Sequence, residues 1–329
     1  MNKPYIKQIF PNGARLILVP MKGVNSVATA VMVGVGSRYE IKANNGISHF
    51  LEHMVFKGTD KYPTTDDVNV IERAGGLQNA YTDIDVTNYH NKVLSDDWEL
   101  ALEINKELAL KPRLASKHVD KERDVILEEM KRYEDEPASK VEEAYHAMLY
   151  PKTTLGMRTI GEVDSMRRVT SDELRAYHDA WYVPSKIVVV MAGLITNDQL
   201  PITTRVEEWF GNLPKKKTGD IEKVFPKQTA PQLVVVTKPD AAQAHMIIGL
   251  RAYQRDSEDR FAWNLFNLIM GVSFTSRLFK EIREKRGLCY HIRSGSSAYT
   301  EVGSWDIYAG VATEKVGEVT KAIVSELAK

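Results

Sequence analysis

The sequence has almost no cysteine and no excess of charge of either sign. Cys289 is the single cysteine among 329 residues, which excludes a disulfide framework and a cysteine-rich zinc site and fits a reducing compartment. Lys and Arg together number 44, as do Asp and Glu, so the formal net charge is zero. A global basic field that could hold nucleic acid or an anionic membrane is missing, and we expect no nucleic-acid partner.

Long apolar runs are missing as well. No stretch approaches the roughly 18 consecutive apolar residues of a membrane-spanning helix. The opening residues, MNKPYIKQIFPNG, contain no apolar run of signal-peptide length, and Pro4 and Pro11 interrupt them. We therefore expect no membrane span and a cytoplasmic location, with an organelle as the alternative if an import sequence precedes Met1.

What the sequence does contain is the same order of predicted elements twice. The first half predicts two strands, two helices, a strand or hairpin and a helix, over 15–20, 26–35, 46–56, 65–74, 77–94 and 96–110. It continues with helices and one strand, over 117–133, 138–149, 171–183, 186–194 (the strand) and 197–209. The second half predicts two strands, two helices, two strands and a helix, over 233–239, 245–250, 261–270, 275–285, 289–298, 303–311 and 314–329. We interpret this as a tandem duplication of an α+β unit, each copy a mostly antiparallel sheet packed with helices.

A segment without periodicity separates the two copies. It contains proline, glycine and a lysine triplet, and we place the first unit at 1–212, a linker at 213–231 and the second unit at 232–329. On the repeat interpretation the first copy takes about 210 residues and the second only about 100. We therefore expect the second unit to be truncated and the natural chain to be about 80–110 residues longer.

One short motif carries the clearest chemical signal. His49 and His53 flank Phe-Leu-Glu52 in the order H-x-x-E-H. On a helix the two histidines are i and i+4 on one face, where their imidazoles can hold one Zn²⁺. Glu52 lies close to that face and can take a proton from a water at the metal. The alternative is a pair of surface histidines beside a solvated glutamate.

A third metal ligand has to come from another part of the chain. The helix predicted over 120–130 offers Glu122, Glu128 and Glu129. Glu122 and Glu129 are seven residues apart and share a helix face, whereas Glu128 points away from it. Two carboxylates on one face suit a cation, and an exposed glutamate-rich helix is the equal alternative.

Four segments together resemble one enzyme family. The segment ANNGISHFLEHMVFKGT resembles the zinc signature of the pitrilysin/insulinase family of metallopeptidases. GSRYE lies upstream of it, and GGLQNAYTDIDVTNYH and ERDVILEEM lie downstream, and each is similar to a segment of that family. The similarity is greatest to the processing peptidases of the family, mitochondrial and bacterial, and covers essentially the whole chain. It implies a clam-like fold of two homologous lobes.

The resemblance also implies roles for individual residues at the metal. It makes Glu129 the third zinc ligand beside His49 and His53, with one Zn²⁺ per chain. It makes Glu52 the catalytic base, and Glu122 the carboxylate that hydrogen-bonds a ligand and orients it.

Substrate-binding residues follow from the same resemblance. The segment SRLFKEIREKRGLCY is similar to the part of the family that holds the scissile carbonyl and its oxyanion, which assigns Arg283 and Tyr290 to that role. Asn79 and Ala80 match the strand that pairs with an extended peptide. The alternatives are a surface arginine, a half-buried strand tyrosine and an ordinary edge strand.

The resemblance therefore implies a zinc-dependent endopeptidase. It would cleave unfolded peptides or presequence-like segments, bound as an added strand, by means of water activated at the metal. Both the zinc motif and the Arg/Tyr pair lie in one chain, so we expect a homodimer rather than a heterodimer that divides them. The resemblance places the protein in a bacterial cytoplasm or, alternatively, in the mitochondrial matrix. The alternative function is a non-catalytic scaffold or partner subunit of the same fold.

Overall fold

The chain folds into two compact units. The computed structural model describes residues 5–195, 200–221, 223–225 and 227–329. One unit comprises 1–129 with 157–221, and the other comprises 130–156 with 222–329. The predicted α+β class is confirmed, since each unit holds one β-sheet together with helices. The predicted domain boundaries at 212 and 232 stay a prediction.

The first unit is built on a six-stranded sheet with the order β1-β2-β6-β3-β5-β4. Its strands are β1 Ile6–Ile9, β2 Arg15–Pro20, β3 Ser26–Val33, β4 Leu77–Thr82, β5 Thr87–Leu94 and β6 Ile187–Gly193. All neighbouring strands are antiparallel except β2 and β6. Buried residues alternate with less buried ones along β2, β3 and β6, which is the period-2 pattern of a sheet with one face on the core. β4 lies at the end of the sheet.

Within the described residues, nine α-helices follow β3 along the chain before residue 244. They are α1 Ile47–Val55, α2 Thr65–Val68, α3 Val70–Arg73, α4 Trp98–Leu110, α5 Ser116–Asp135, α6 Pro137–Leu149, α7 Val163–Met166, α8 Ser171–Trp181 and α9 Leu200–Val206. The helix predicted over 65–74 is divided at Asn69, and the start of the one predicted over 197–209 lies outside the described residues. Pro137 begins α6, where a missing N–H is no loss. Among the residues that the structure describes, no helix is both long enough and apolar enough for a membrane span.

The second unit contains a three-stranded antiparallel sheet with the order β7-β9-β8. Besides α6, this unit contains β7 Ala244–Ala252, α10 Arg260–Asn267, β8 Cys289–Ala298, β9 Gly303–Val311 and α11 Val316–Leu327. Two π-helical turns lie at Leu268–Val272 and Phe279–Glu284. Its core includes Trp305, Ile307 and Ile323. The strand predicted over 233–239 is wrong: the segment has no regular structure, and Leu233 is 86% exposed. A β-branched run becomes a strand only where ladder partners and burial stabilise it.

The predicted duplication is visible in the topology of the two sheets. The order β3-β5-β4 in the first unit has the same antiparallel arrangement as β7-β9-β8 in the second. β5 leads through a 3₁₀ turn into α4, and β9 leads through another into α11. The two junctions thus adopt the same local structure.

Helix α1 begins at a buried carboxylate that accepts three hydrogen bonds. Glu40 Oε2 accepts from the Gly46 N–H at 2.6 Å and from Asn45 Nδ2 at 2.8 Å. Glu40 Oε1 accepts from the Ser48 N–H at 2.9 Å. Gly46 has a φ of 95°, and a Cβ there would lie 2.8 Å from the Ile160 carbonyl oxygen, so only glycine fits. These contacts determine where α1 starts.

The pH dependence of stability should report the burial of Glu40. Burial raises the pKa of the Glu40 carboxyl from 4.5 to about 7, although its N–H donors oppose the shift. The folded chain therefore binds a proton between these pH values that the unfolded chain does not, and the free energy of unfolding should fall as pH rises through this window. The fall is up to about 3 kcal/mol, at about 1.4 kcal/mol per pKa unit.

Urea unfolding of the wild type and of Glu40→Gln at pH 5 and pH 8 tests this. The variant cannot bind that proton, so its stability relative to the wild type should improve at pH 8 by up to about 3 kcal/mol. Glu103→Gln is the control, since hydrogen bonds from Lys61 and Tyr62 outweigh partial burial and lower the pKa of Glu103 out of this range. Parallel pH profiles for the wild type and Glu40→Gln would contradict the prediction.

Candidate metal centre

Helix α1 and helix α5 bring two imidazoles and a carboxylate together. Glu129 Oε2 lies 3.8 Å from His49 Nε2 and 3.6 Å from His53 Nε2. The potential ligand atoms of the three residues all lie within 4.8 Å of one another. The two imidazoles meet edge to face with centroids 4.6 Å apart, as expected for residues one helical turn apart. The sequence-predicted ligand candidates His49, His53 and Glu129 are thus neighbours.

The spacing and the donor types of this group fit a zinc ion. Separations of 3.6 and 3.8 Å are too long for hydrogen bonds. They are close to the roughly 3.3–3.4 Å that separates two ligands placed about 2.0–2.1 Å from one tetrahedral ion. Two histidine nitrogens and one carboxylate oxygen form a donor set typical of catalytic zinc, which keeps a fourth position open. These residues could therefore hold Zn²⁺.

Glu122 lies directly behind one of these histidines. Its Oε1 is 2.9 Å from His53 Nδ1, which leaves Nε2 of that ring turned towards Glu129. Its Oε2 is 2.6 Å from Lys57 Nζ. Burial alone would lower the pKa of His53, but the hydrogen bond to Glu122 and the nearby carboxylate of Glu129 outweigh it and raise the pKa to about 9. For His49, burial and the nearby charge of His53 lower the pKa. The carboxylates thus make His53 the more basic imidazole.

Glu52 is not one of these three potential ligands, and the sheet holds its carboxylate. Its Oε2 accepts a 2.6 Å hydrogen bond from Thr82 Oγ1, at the last residue of β4. Burial raises the pKa of Glu52, and the hydrogen bond from Thr82 partly offsets that effect. A half-buried carboxylate with a raised pKa near a candidate metal site has the properties of a general base.

Sequence reasoning missed Thr82 and Lys57, although both lie in segments that carried the family resemblance. Thr82 is two residues after Ala80, so the period of a strand places both on the same face of β4. Lys57 follows His53 by four residues, although α1 ends at Val55. The sequence thus shows the spacing of Thr82 from Ala80 and of Lys57 from His53, but it does not show which side chain each one contacts.

Strand β4 also presents a free edge. Among the described strands it pairs only with β5. Asn79 is exposed and Ala80 is buried, and the Ala80 N–H donates to Asn79 Oδ1 at 2.8 Å. An edge strand of this kind can accept another extended chain through its backbone groups.

Arg283 and Tyr290 meet in the second unit. The Arg283 guanidinium lies 5.1 Å from the ring centroid of Tyr290 and 4.6 Å from that of Phe279. The register of β8 against β9 shifts between Cys289 and His291, so Tyr290 has no opposite residue in the ladder. Such a bulge re-aims a side chain, and Tyr290 is 76% exposed, which contradicts a half-buried position. The half-buried arginine thus lies over the ring of the exposed tyrosine.

Known proteins are similar to this chain in sequence. Residues 16–163 match the family model described as Insulinase (Peptidase family M16), and residues 168–329 match the model described as Peptidase M16 inactive domain. An uncharacterized zinc protease of Bacillus subtilis, YmxG, is 33% identical over 96% of this chain and 76% of its own length. One from Mycobacterium leprae is 33% identical over 97% of this chain and 72% of its own length.

The folds of solved structures agree with this. A protease from Helicobacter pylori has a TM-score of 0.91 at 23% identity, over 98% of this chain and 79% of that one. Pitrilysin has a TM-score of 0.74 at 22% identity, over all of this chain and 36% of its own. Identities this low show the fold alone, whereas the sequence relatives exceed 30% identity over more than two thirds of their length. The chain therefore belongs to the insulinase family of peptidases, M16.

Proposed function

We propose that this chain is a zinc-dependent endopeptidase that cleaves unfolded peptides, including presequence-like segments. The observation that supports this best is the grouping of His49, His53 and Glu129 around one point, with the half-buried carboxylate of Glu52 near them. One Zn²⁺ per chain follows from one such group among the described residues. The zinc proteases among the relatives agree with this choice of metal.

The protein's own groups would divide the remaining work. Zinc, when bound, would supply a Lewis acid that polarises the scissile carbonyl and makes a water molecule more acidic. Glu52 would accept the proton of the attacking water and return it to the leaving amine. Thr82 would hold one oxygen of that carboxylate in place. Glu122 would hold the ring of His53 through Nδ1.

Substrate binding would use the backbone of β4 together with Arg283 and Tyr290 of the second unit. An extended peptide added to the free edge at Asn79 and Ala80 would be recognised by its main chain, which suits many sequences. Arg283 and Tyr290 are donors that could stabilise the negative charge that develops on the carbonyl oxygen. We further propose a homodimer, since one chain carries both the three potential metal ligands and the Arg283–Tyr290 pair. We place it in a bacterial cytoplasm.

Glu52→Gln should retain zinc and lose turnover. The amide preserves the shape of the side chain but cannot take a proton, and general-base catalysis is worth roughly 10²–10⁴ in rate. The measurement is metal content by mass spectrometry together with hydrolysis of an unstructured fluorogenic peptide. His49→Ala is the matched control and should lose both the metal and the activity. Near-normal hydrolysis by a zinc-loaded Glu52→Gln would exclude Glu52 as the base.

Thr82→Val should lower kcat by about 10–100-fold, because a hydrogen bond to a charged group contributes about 1.5–3 kcal/mol. Valine has nearly the shape of threonine but no hydroxyl, so the Glu52 carboxylate loses its anchor. Thr82→Ser keeps the donor and should retain most of the activity. Zinc content should stay the same in both variants. Equal kcat values for valine and serine would show that the hydroxyl does not support the base.

Arg283→Ala and Tyr290→Phe should leave zinc content unchanged and lower kcat. If each side chain donates to the oxyanion, about 10²-fold should be lost per donor. Steady-state kinetics with a peptide substrate separates kcat from KM. An increase in KM with an unchanged kcat would instead assign these side chains to uniform substrate binding.

A further inference from the structure

Lys57 makes a close contact with Glu122, the carboxylate that lies behind His53. Its Nζ lies 2.6 Å from Glu122 Oε2, while Glu122 Oε1 is 2.9 Å from His53 Nδ1. The Glu122 side chain is only 6% exposed, whereas that of Lys57 is 29% exposed. The three groups therefore form a chain that runs from partly exposed Lys57 to the imidazole of His53.

The two contacts of Glu122 use different oxygens of one buried carboxylate. A buried charge is tolerated when it is paired and its remaining lone pairs are hydrogen-bonded. Lys57 supplies the opposite charge on one oxygen, so the other oxygen stays aimed at His53. Without the ammonium group, the carboxylate would keep a partner on one side only and could rotate towards water. The ring of His53 would then lose its fixed acceptor.

The position of Lys57 along the chain supports this role. α1 ends at Val55, and the Lys57 N–H donates to the Met54 carbonyl oxygen at 3.0 Å, which holds the lysine backbone against the end of the helix. Lys61, four residues further along, pairs instead with Glu103 and is more exposed. Of these two lysines, Lys57 is the one that contacts Glu122, the carboxylate bonded to His53.

We infer that Lys57 is a positioning residue for the metal centre: it fixes Glu122, which in turn fixes the ring of His53 and so strengthens metal binding. This inference rests on the proposed function for the identity of the metal. Partners that orient a ligand in this way typically change metal affinity by about 10–100-fold. The effect of Lys57 should therefore pass entirely through Glu122.

Zinc affinity tests this without reference to activity. Full-length apoprotein is titrated with Zn²⁺ against a competing chromophoric chelator at one fixed pH and salt concentration. Lys57→Met, which keeps the length of the side chain and removes the charge, should bind zinc about 10–100-fold more weakly. Lys57→Arg keeps the charge and should recover much of the loss. Glu122→Gln should weaken binding at least as much as Lys57→Met.

The double variant Lys57→Met/Glu122→Gln decides whether the lysine acts through the glutamate. If it does, the double variant binds zinc no more weakly than Glu122→Gln alone, because residues in one network are not additive. Multiplied losses in the double variant would overturn the inference and leave Lys57 a general structural role. Lys61→Met is the matched control and should bind zinc like the wild type. Circular dichroism confirms that each variant is folded.

The outcomes separate this inference from the proposed function. A Lys57→Met variant that binds zinc as tightly as the wild type overturns the inference alone. A wild type that binds zinc stoichiometrically but cleaves no peptide overturns the proposed function alone. A wild type with no measurable zinc affinity overturns both.

Discussion

The rotation of helix α1 about its own axis is the constraint on which the metal centre depends. Phe50, Leu51 and Met54 are completely buried, so this apolar face can point only into the core. With that face fixed, the period of 3.6 residues turns His49 and His53 towards α5. Because the apolar side chains and the polar side chains alternate within one short helix, packing energy and site geometry are determined together.

Two buried carboxylates contact α1 and its flanking residues near opposite ends, and their surroundings give them different properties. Glu40 accepts hydrogen bonds from uncharged groups at the start of the helix, and burial raises its pKa. Glu122 is buried as well, but the bonds from His53 and Lys57 outweigh burial and lower its pKa. The first carboxylate therefore costs stability when it is ionised, whereas the second is a stable anion that can hold an imidazole.

Under the proposed function, the edge strand β4 would combine two tasks that would otherwise need separate elements. Its backbone edge at Asn79 and Ala80 has no described partner strand, and its last side chain, Thr82, bonds Glu52. A peptide bound along that edge would thus lie in a fixed register relative to the proposed base. This link between binding and chemistry would then depend on residues of a single strand.

Local patterns in the sequence determined the parts of the site that lie on one element. The spacing of His49 and His53, the sharing of a helix face by Glu122 and Glu129, and the duplicated order of strands and helices all follow from short-range periodicity. Only the tertiary structure decided which partners these residues meet. Thr82 is 30 residues from Glu52, and Glu122 is 69 residues from His53. The tertiary structure also shows no strand at 233–239. A segment of high β-propensity forms a strand only beside another strand, and the sequence pattern does not reveal whether one is there.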